Sequence, residues 1–186
     1  MVASSVYVNE SVRIIPNPYA LSIKPRLEYC SYLVEVILEK FQKTCEQTRQ
    51  TNLEFYSQKE DLAKSSLQFR RQVQVESNLI CAIEILKTVK VRLQSITQIN
   101  NIAENISPII SVIRIINSNV HSCLPQSDHD LIELSTTFGS IVMDSGCLSE
   151  AKFDFKKTNL ESTRILAEVN LIVESKIRTQ YPNLNF

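Results

Sequence analysis

Two stretches carry apolar residues in alternating steps of three and four. Leu27, Cys30, Val34, Ile37 and Phe41 form the first stripe. Leu79, Ile83, Leu86, Val89, Leu93 and Ile96 form the second. Such spacing places one apolar seam along an α-helix and fits no other regular structure. The chain between and around the stripes holds few residues that break helices. It has only 2 glycines, no tryptophan and 6 prolines, and the prolines sit almost entirely at segment borders. A compact α/β enzyme built on tight glycine turns is therefore disfavoured, and the fold class expected is all-α. The length of 186 residues suits one domain.

Residues 1–24 contain Pro16 and Pro18 and show no helical period. They are expected to be a flexible, mostly extended arm whose Val, Tyr and Ile residues could dock on a partner. Pro25 is well placed in the first turn of a long helix, where its missing N–H costs nothing. The stripe fades through Cys45 and Thr48. Ser57 followed by Glu60 fits a capping box, so the turn of a helical hairpin is expected near here. The second helix should run from about Asp61 to about Ile96. The two together, about 25–96, predict an antiparallel hairpin about 45–50 Å long, an elongated rod. The stretch 97–106 reads as a loose junction, with Asn100 and Asn101 tolerant of a left-handed backbone.

Ser107-Pro108 has the form of a cap residue followed by a first-turn proline. A short third helix is thus expected over 107–120. Its β-branched content leaves a buried strand over 109–116 as the alternative. Seven branched apolar residues lie between Ile106 and Ile116, with Arg114 the one charge in 106–120. The segment is too short to be a membrane span. A bilayer needs about 20 apolar residues, and the longest run without Asp, Glu, Lys or Arg is 115–127. The first fifteen residues lack a basic start and carry Glu10 and Arg13, so a secretory signal is not expected and the chain should be cytoplasmic.

Two further helices are expected. One spans about 127–146, capped by Ser127 or Asp128, with Leu131, Leu134, Phe138, Ile141 and Val142 on one face and Gly146 as a left-handed stop. The other spans about 149–180, started by Ser149, with Phe153, Leu160, Ile165, Val169, Ile172 and Ile177. Tyr181-Pro182 ends it, and 181–186 reads as a tail.

Chemistry has few candidates. Two isolated glycines make no phosphate-binding loop. His121, Cys123, His129 and Cys147 match no zinc spacing. Cys123 beside His121 is a poor nucleophile pair, because i and i+2 side chains do not face each other on a helix. No metal, no cofactor and no enzymatic activity are expected. The five cysteines are odd in number and read as reduced, small apolar residues.

Charge is uneven. Residues 24–94 hold 12 Lys/Arg and 9 Asp/Glu, whereas 95–186 hold 7 and 10. The halves can attract each other, and an anionic partner can compete for the first. Lys24, Arg26, Lys40, Lys43, Lys64, Arg70 and Arg71, with Lys87, Lys90 and Arg92 further on, are candidate contacts to anionic lipid. Each is worth about 1 kcal/mol when well placed. Nucleic acid is the poorer anion here, because basic residues do not interleave with aromatic ones.

The order of these segments resembles the core of ESCRT-III proteins, and most closely the archaeal CdvB family. VRLQSITQINNIAENISPIISVIR (91–114) resembles its Arg-Leu, polar junction and proline-started apolar helix. LPQSDHDLIELSTTFGSIVMDSG (124–146) resembles its proline-acidic start and its finish, here Ile141, Val142, Asp144 and Gly146. The resemblance implies a polymer-forming, membrane-remodelling subunit of cell division, on the inner face of the membrane. Its partners would be itself, paralogous subunits, an anionic membrane and the AAA ATPase of the division system. The stretch 150–180 lacks the leucine-arginine-leucine docking motif of eukaryotic relatives, and no proline-rich docking motif or winged-helix domain precedes Phe186, which argues against direct ATPase docking. The resemblance also implies that Asn100 and Asn101 act as a hinge. Ile109, Ile110, Ile113, Ile116 and Val120 would pack on the chain's own hairpin when closed and on neighbouring subunits when open. The alternative reading is a non-polymerising helical adaptor or coiled-coil scaffold.

Overall fold

The computed structural model describes residues 22–58, 66–96, 102–148, 155–182 and 184. Five α-helices account for nearly all of them: α1 (Ile23–Gln58), α2 (Leu67–Ser95), α3 (Ile102–Val120), α4 (Asp128–Leu148) and α5 (Phe155–Gln180). Among the described residues there is no strand, so the 109–116 alternative falls to a helix. The expected arm falls outside the described residues up to position 21. Lys24, assigned to it, already lies in α1. Arg26 N–H donates to the Ser22 carbonyl at 3.2 Å. Pro25 therefore sits in the first turn, where an N–H has no partner within the helix.

Helices α1 and α2 pair antiparallel. Lys90 near the end of α2 meets Glu35 near the start of α1 at 3.0 Å. Asn52, late in α1, meets Glu76, early in α2, at 2.8 Å. The expected stripes are the seam: Cys30, Val34, Ile37 and Phe41 face Leu79, Ile83, Leu86, Val89 and Leu93, all buried. At 36 residues α1 is about 54 Å long. The capping box is a correction. Ser57 lies in the last turn of α1 and donates to the Glu54 carbonyl at 3.0 Å. The cap of α2 is Ser66, whose Oγ accepts from Phe69 N–H at 3.2 Å. Glu60 and Asp61 are outside the described residues.

The hairpin is not a bare rod. Helix α4 lies antiparallel on α1, as Lys40–Asp130 (2.6 Å) and Arg26–Asp144 require. Helix α5 lies antiparallel on α2, with Arg92 on Glu161, Lys176 on Glu84 and Tyr181 on Glu76. Helix α3 contacts α2, α4 and α5.

The start of α3 is a second correction. It begins at Ile102 rather than 107, and Pro108 is interior. Ile102, Ile106, Ile109, Ile113, Ile116 and Val120 form an unbroken stripe of buried residues. Burying Ile102 and Ile106 contributes about 1.5–3 kcal/mol each. That matches or exceeds the roughly 3 kcal/mol cost of an interior proline. Ser107 is buried too, and its hydroxyl finds no partner among the described residues, so it caps nothing. Ser127 likewise caps nothing. It sits in the 3-10 turn Pro125–Ser127 with its hydroxyl unpartnered, and Asp128 opens α4.

Gly146 does not stop α4, which continues to Leu148, and no described glycine has a positive φ. Ser149 and Phe153 lie outside the described residues. The inward stripe of α5 is Ser162, Ile165, Val169, Val173 and Ile177. Leu160 (73% exposed) and Ile172 point outward. Leu160 is five residues from Ile165, about 140° around the helix, and Ser162 takes the inward place instead. Two residues of the segment read as a tail are packed: Tyr181 is 1% exposed and Leu184 6%.

Candidate functional site

The contacts between the hairpin and the C-terminal helices are where charge is concentrated. On the α1–α4 side, Arg26 lies on the inward face of α1, one turn before Cys30, and is 4% exposed. Its guanidinium donates to Ser140 Oγ at 2.8 Å and to Asp144 Oδ2. Asp144 is half-exposed, so the pair sits at the rim with the cation beneath. Tyr29 donates to Glu133 Oε1 at 2.7 Å. Burial, and then that bond, push the Tyr29 hydroxyl well above the ordinary phenol range. Lys40 donates to Asp130 at 2.6 Å in a more solvated setting.

On the α2–α5 side, Glu84 accepts from Lys176 at 2.8 Å and from Lys87 at 2.9 Å. Burial pushes its carboxyl upward, but the two lysines outweigh burial and hold it below the usual carboxylate value. Arg92 pairs with Glu161. Helix α5 also grips α3: Ser162 Oγ donates to the Pro108 carbonyl at 3.0 Å, and Lys157 meets Glu104 at 3.0 Å.

The expected lipid contacts therefore divide. Lys24, Lys43, Arg70 and Arg71 are exposed. Arg26 and Lys40 are bonded to acidic residues of α4. Lys87, Lys90 and Arg92 are ion-paired as well. Lys64, and the hinge residues Asn100 and Asn101, lie outside the described residues. Of the α3 residues, Ile109, Ile113, Ile116 and Val120 are fully buried in the core, and Ile110 is partly buried against it.

Among the described residues the possible metal ligands do not converge, and the Cys147 side chain lies outside them. His121 bonds Asp128, and Cys123 Sγ donates to the Val120 carbonyl at 3.3 Å. His129 is at the surface, 3.7 Å from Glu133. Among the described residues no group of three His, Cys, Asp or Glu is placed to hold a metal. No helix among them is long and apolar enough to cross a membrane.

Over 99 residues the chain is 25% identical to Cell division protein B1 of Sulfolobus acidocaldarius. The chain is similar in sequence to that archaeal cell-division protein. The match covers 53% of this chain and 46% of the relative, so it spans about half the length of the protein it matches. No family model and no solved structure matches the chain.

Sequence reading missed one cluster. Asn52, Glu76 and Tyr181 meet in the core near the turn of the hairpin, with both neutral side chains donating to Glu76 Oε2. A signal for it exists. Glu76 lies three residues after Val73 and four before Ile80, on the apolar stripe itself.

Proposed function

We propose that this chain is a polymer-forming, membrane-remodelling subunit of archaeal cell division, and that the arrangement described above is its closed form. In the open form α3 would continue the hairpin and offer Ile109, Ile110, Ile113, Ile116 and Val120 to neighbouring subunits. Its partners would be further copies, paralogous subunits and an anionic membrane on the cytoplasmic face at the division site. The division AAA ATPase would act on the assembled polymer.

One observation carries the reading. The α4 carboxylates Asp130 and Asp144 hold Lys40 and Arg26, two of the cations that an anionic surface would use. Closure and lipid binding then compete for the same charges. Each basic residue released is worth about 1 kcal/mol on an anionic surface. A polymer multiplies that small gain by its number of subunits.

The test is co-sedimentation with anionic and with neutral vesicles, followed by negative-stain microscopy. The wild-type chain should pellet with anionic vesicles only and form filaments on them. The double change Asp130→Asn, Asp144→Asn should raise the pelleted fraction severalfold. If neither chain pellets or polymerises, the reading fails and the adaptor alternative takes its place.

A further inference from the structure

Helix α4 carries an outward stripe that nothing among the described residues covers. Ile132 (53% exposed), Thr136, Gly139 and Met143 (74% exposed) follow at steps of four, three and four, which sets them on one face. The Thr136 hydroxyl donates back to the Ile132 carbonyl at 2.9 Å, so the stripe asks for no polar partner. Gly139 sits in its middle. Glycine inside a helix weakens it relative to alanine. Yet a Cβ built on Gly139 meets nothing within 4 Å beyond its own helix turn. The described packing does not need this glycine; a segment laid close over the stripe would.

The Met143 end of the stripe lies where residues 1–21 join the fold. Those residues are outside the described ones. The Arg26 N–H donates to the Ser22 carbonyl at 3.2 Å, and the Arg26 guanidinium bonds Ser140 and Asp144. Residue 21 is thereby tethered beside that end of α4. Its segment has the wrong composition for a solvated tail, which is charged and poor in apolar residues. Twelve of the 21 residues are apolar, and two, Glu10 and Arg13, are charged. Pro16 and Pro18 favour extended backbone at their own positions and at the residues before them. Extended backbone of the polyproline kind repeats every three residues. Val12, Ile15, Pro18 and Leu21 fall at that period.

Lengths and charges agree. Ile132 to Met143 is about 16 Å along the helix. Ile15 to Leu21 is about 19 Å at the polyproline rise. Arg13, about 25 Å from Leu21 on the same path, comes level with Asp128 and Asp130 at the start of α4. That helix holds four acidic residues and no lysine or arginine.

We infer that residues 12–21 turn back at Ser22 and lie along the outer face of α4, with Leu21, Pro18 and Ile15 over Met143, Gly139 and Ile132. This clasp hides two apolar surfaces at once, that of the segment and that of α4. It concerns the free chain in solution and does not depend on the membrane reading.

Trypsin reads the contact in the full chain. Arg13 is the one trypsin site in residues 1–21, and Pro25 shields Lys24. Cleavage after Arg13, followed by mass spectrometry, tracks the released population of the segment. The double change Ile132→Asp, Met143→Asp should speed it about tenfold. Gly139→Leu, which fills the open space, should speed it severalfold. Both should keep the helix content of wild type by circular dichroism, because the changed positions face outward. Leu171→Asp, on the exposed face of α5, should cleave at the wild-type rate. Wild-type rates in both α4 variants overturn the inference, as does an equal gain from Leu171→Asp or a loss of helix content in both α4 variants. Protection that grows with protein concentration assigns the stripe to a second copy. Protection seen only with anionic vesicles assigns the segment to the membrane. Either result overturns the clasp.

Discussion

Arg26, Asn52 and Glu76 occupy positions that the stripes of their helices would give to apolar residues. Arg26 precedes Cys30 by four, Asn52 follows Cys45 by seven, and Glu76 stands between Val73 and Ile80. All three are buried, and each reaches a partner on another helix. Residue type alone places Arg26 among surface cations; its register places it inside. Asp144→Asn should therefore cost about 1–3 kcal/mol, the range for a hydrogen bond to a charged group. The check is a lower urea midpoint at unchanged slope, and an unmoved midpoint would refute it. Burial pushes the Cys30 thiol well above its ordinary value and raises that of Cys45 to about 11. At pH 8 the folded chain should label at Cys45 on the order of 100-fold more slowly than a free thiol, since the thiolate is the nucleophile. In denaturant the difference should vanish.

Helix α3 is the element in which two sequence signals disagree. Ser107-Pro108 predicts a start at 107, and the isoleucine stripe runs through it from Ile102. The stripe wins because it is buried on three helices. Ile113→Ala should therefore cost about 2–5 kcal/mol. Ile115→Ala, on the outer face, should stay within about 0.5 kcal/mol. Equal costs for the two in chemical unfolding would show that α3 is not held by this face. For α5 the tie to α2 has a pH signature. Glu84 is depressed in the folded chain, so its contribution is present above its unfolded value, near 4.5. That contribution is lost as pH falls through the lower folded value. Glu84→Gln should flatten the acid limb of the stability curve, and an unchanged limb would count against the lysine pair as its cause.

At the scale of the molecule, Arg26, Lys40 and Arg92 of the basic first half meet acidic residues of the second across α1–α4 and α2–α5, while Glu84–Lys176 runs the other way. Charge complementarity chooses which faces meet, and apolar burial supplies most of the energy. Most of these pairs are partly exposed and contribute roughly 0–1 kcal/mol each. Raising salt from about 0.05 M to about 0.5 M shortens the screening length severalfold. On the membrane reading proposed above, vesicle binding should fall steeply over that range, while helix content by circular dichroism should barely change. Salt-independent binding would mean that apolar insertion, and not the basic face, holds the chain on lipid.

The sequence alone determined what period can determine. Two threes-and-fours stripes specify two long helices and their seam. The absence of long uncharged runs leaves no room for a spanning helix. The apolar face of α4 and half of that of α5 were legible for the same reason. Tertiary structure decided what depends on competition between distant groups. It moved the start of α3 past a local cap signal, because burial of Ile102 and Ile106 offsets an interior proline. It turned Leu160 outward and drew Tyr181 and Leu184 inward, because a short segment's place depends on the surface that awaits it. It also made Arg26 and Glu76 internal, one paired with a carboxylate 118 residues away and the other accepting from Tyr181, 105 residues on. No local pattern encodes those partners; only the packing of α4 on α1 and of α5 on α2 brings them within bonding distance.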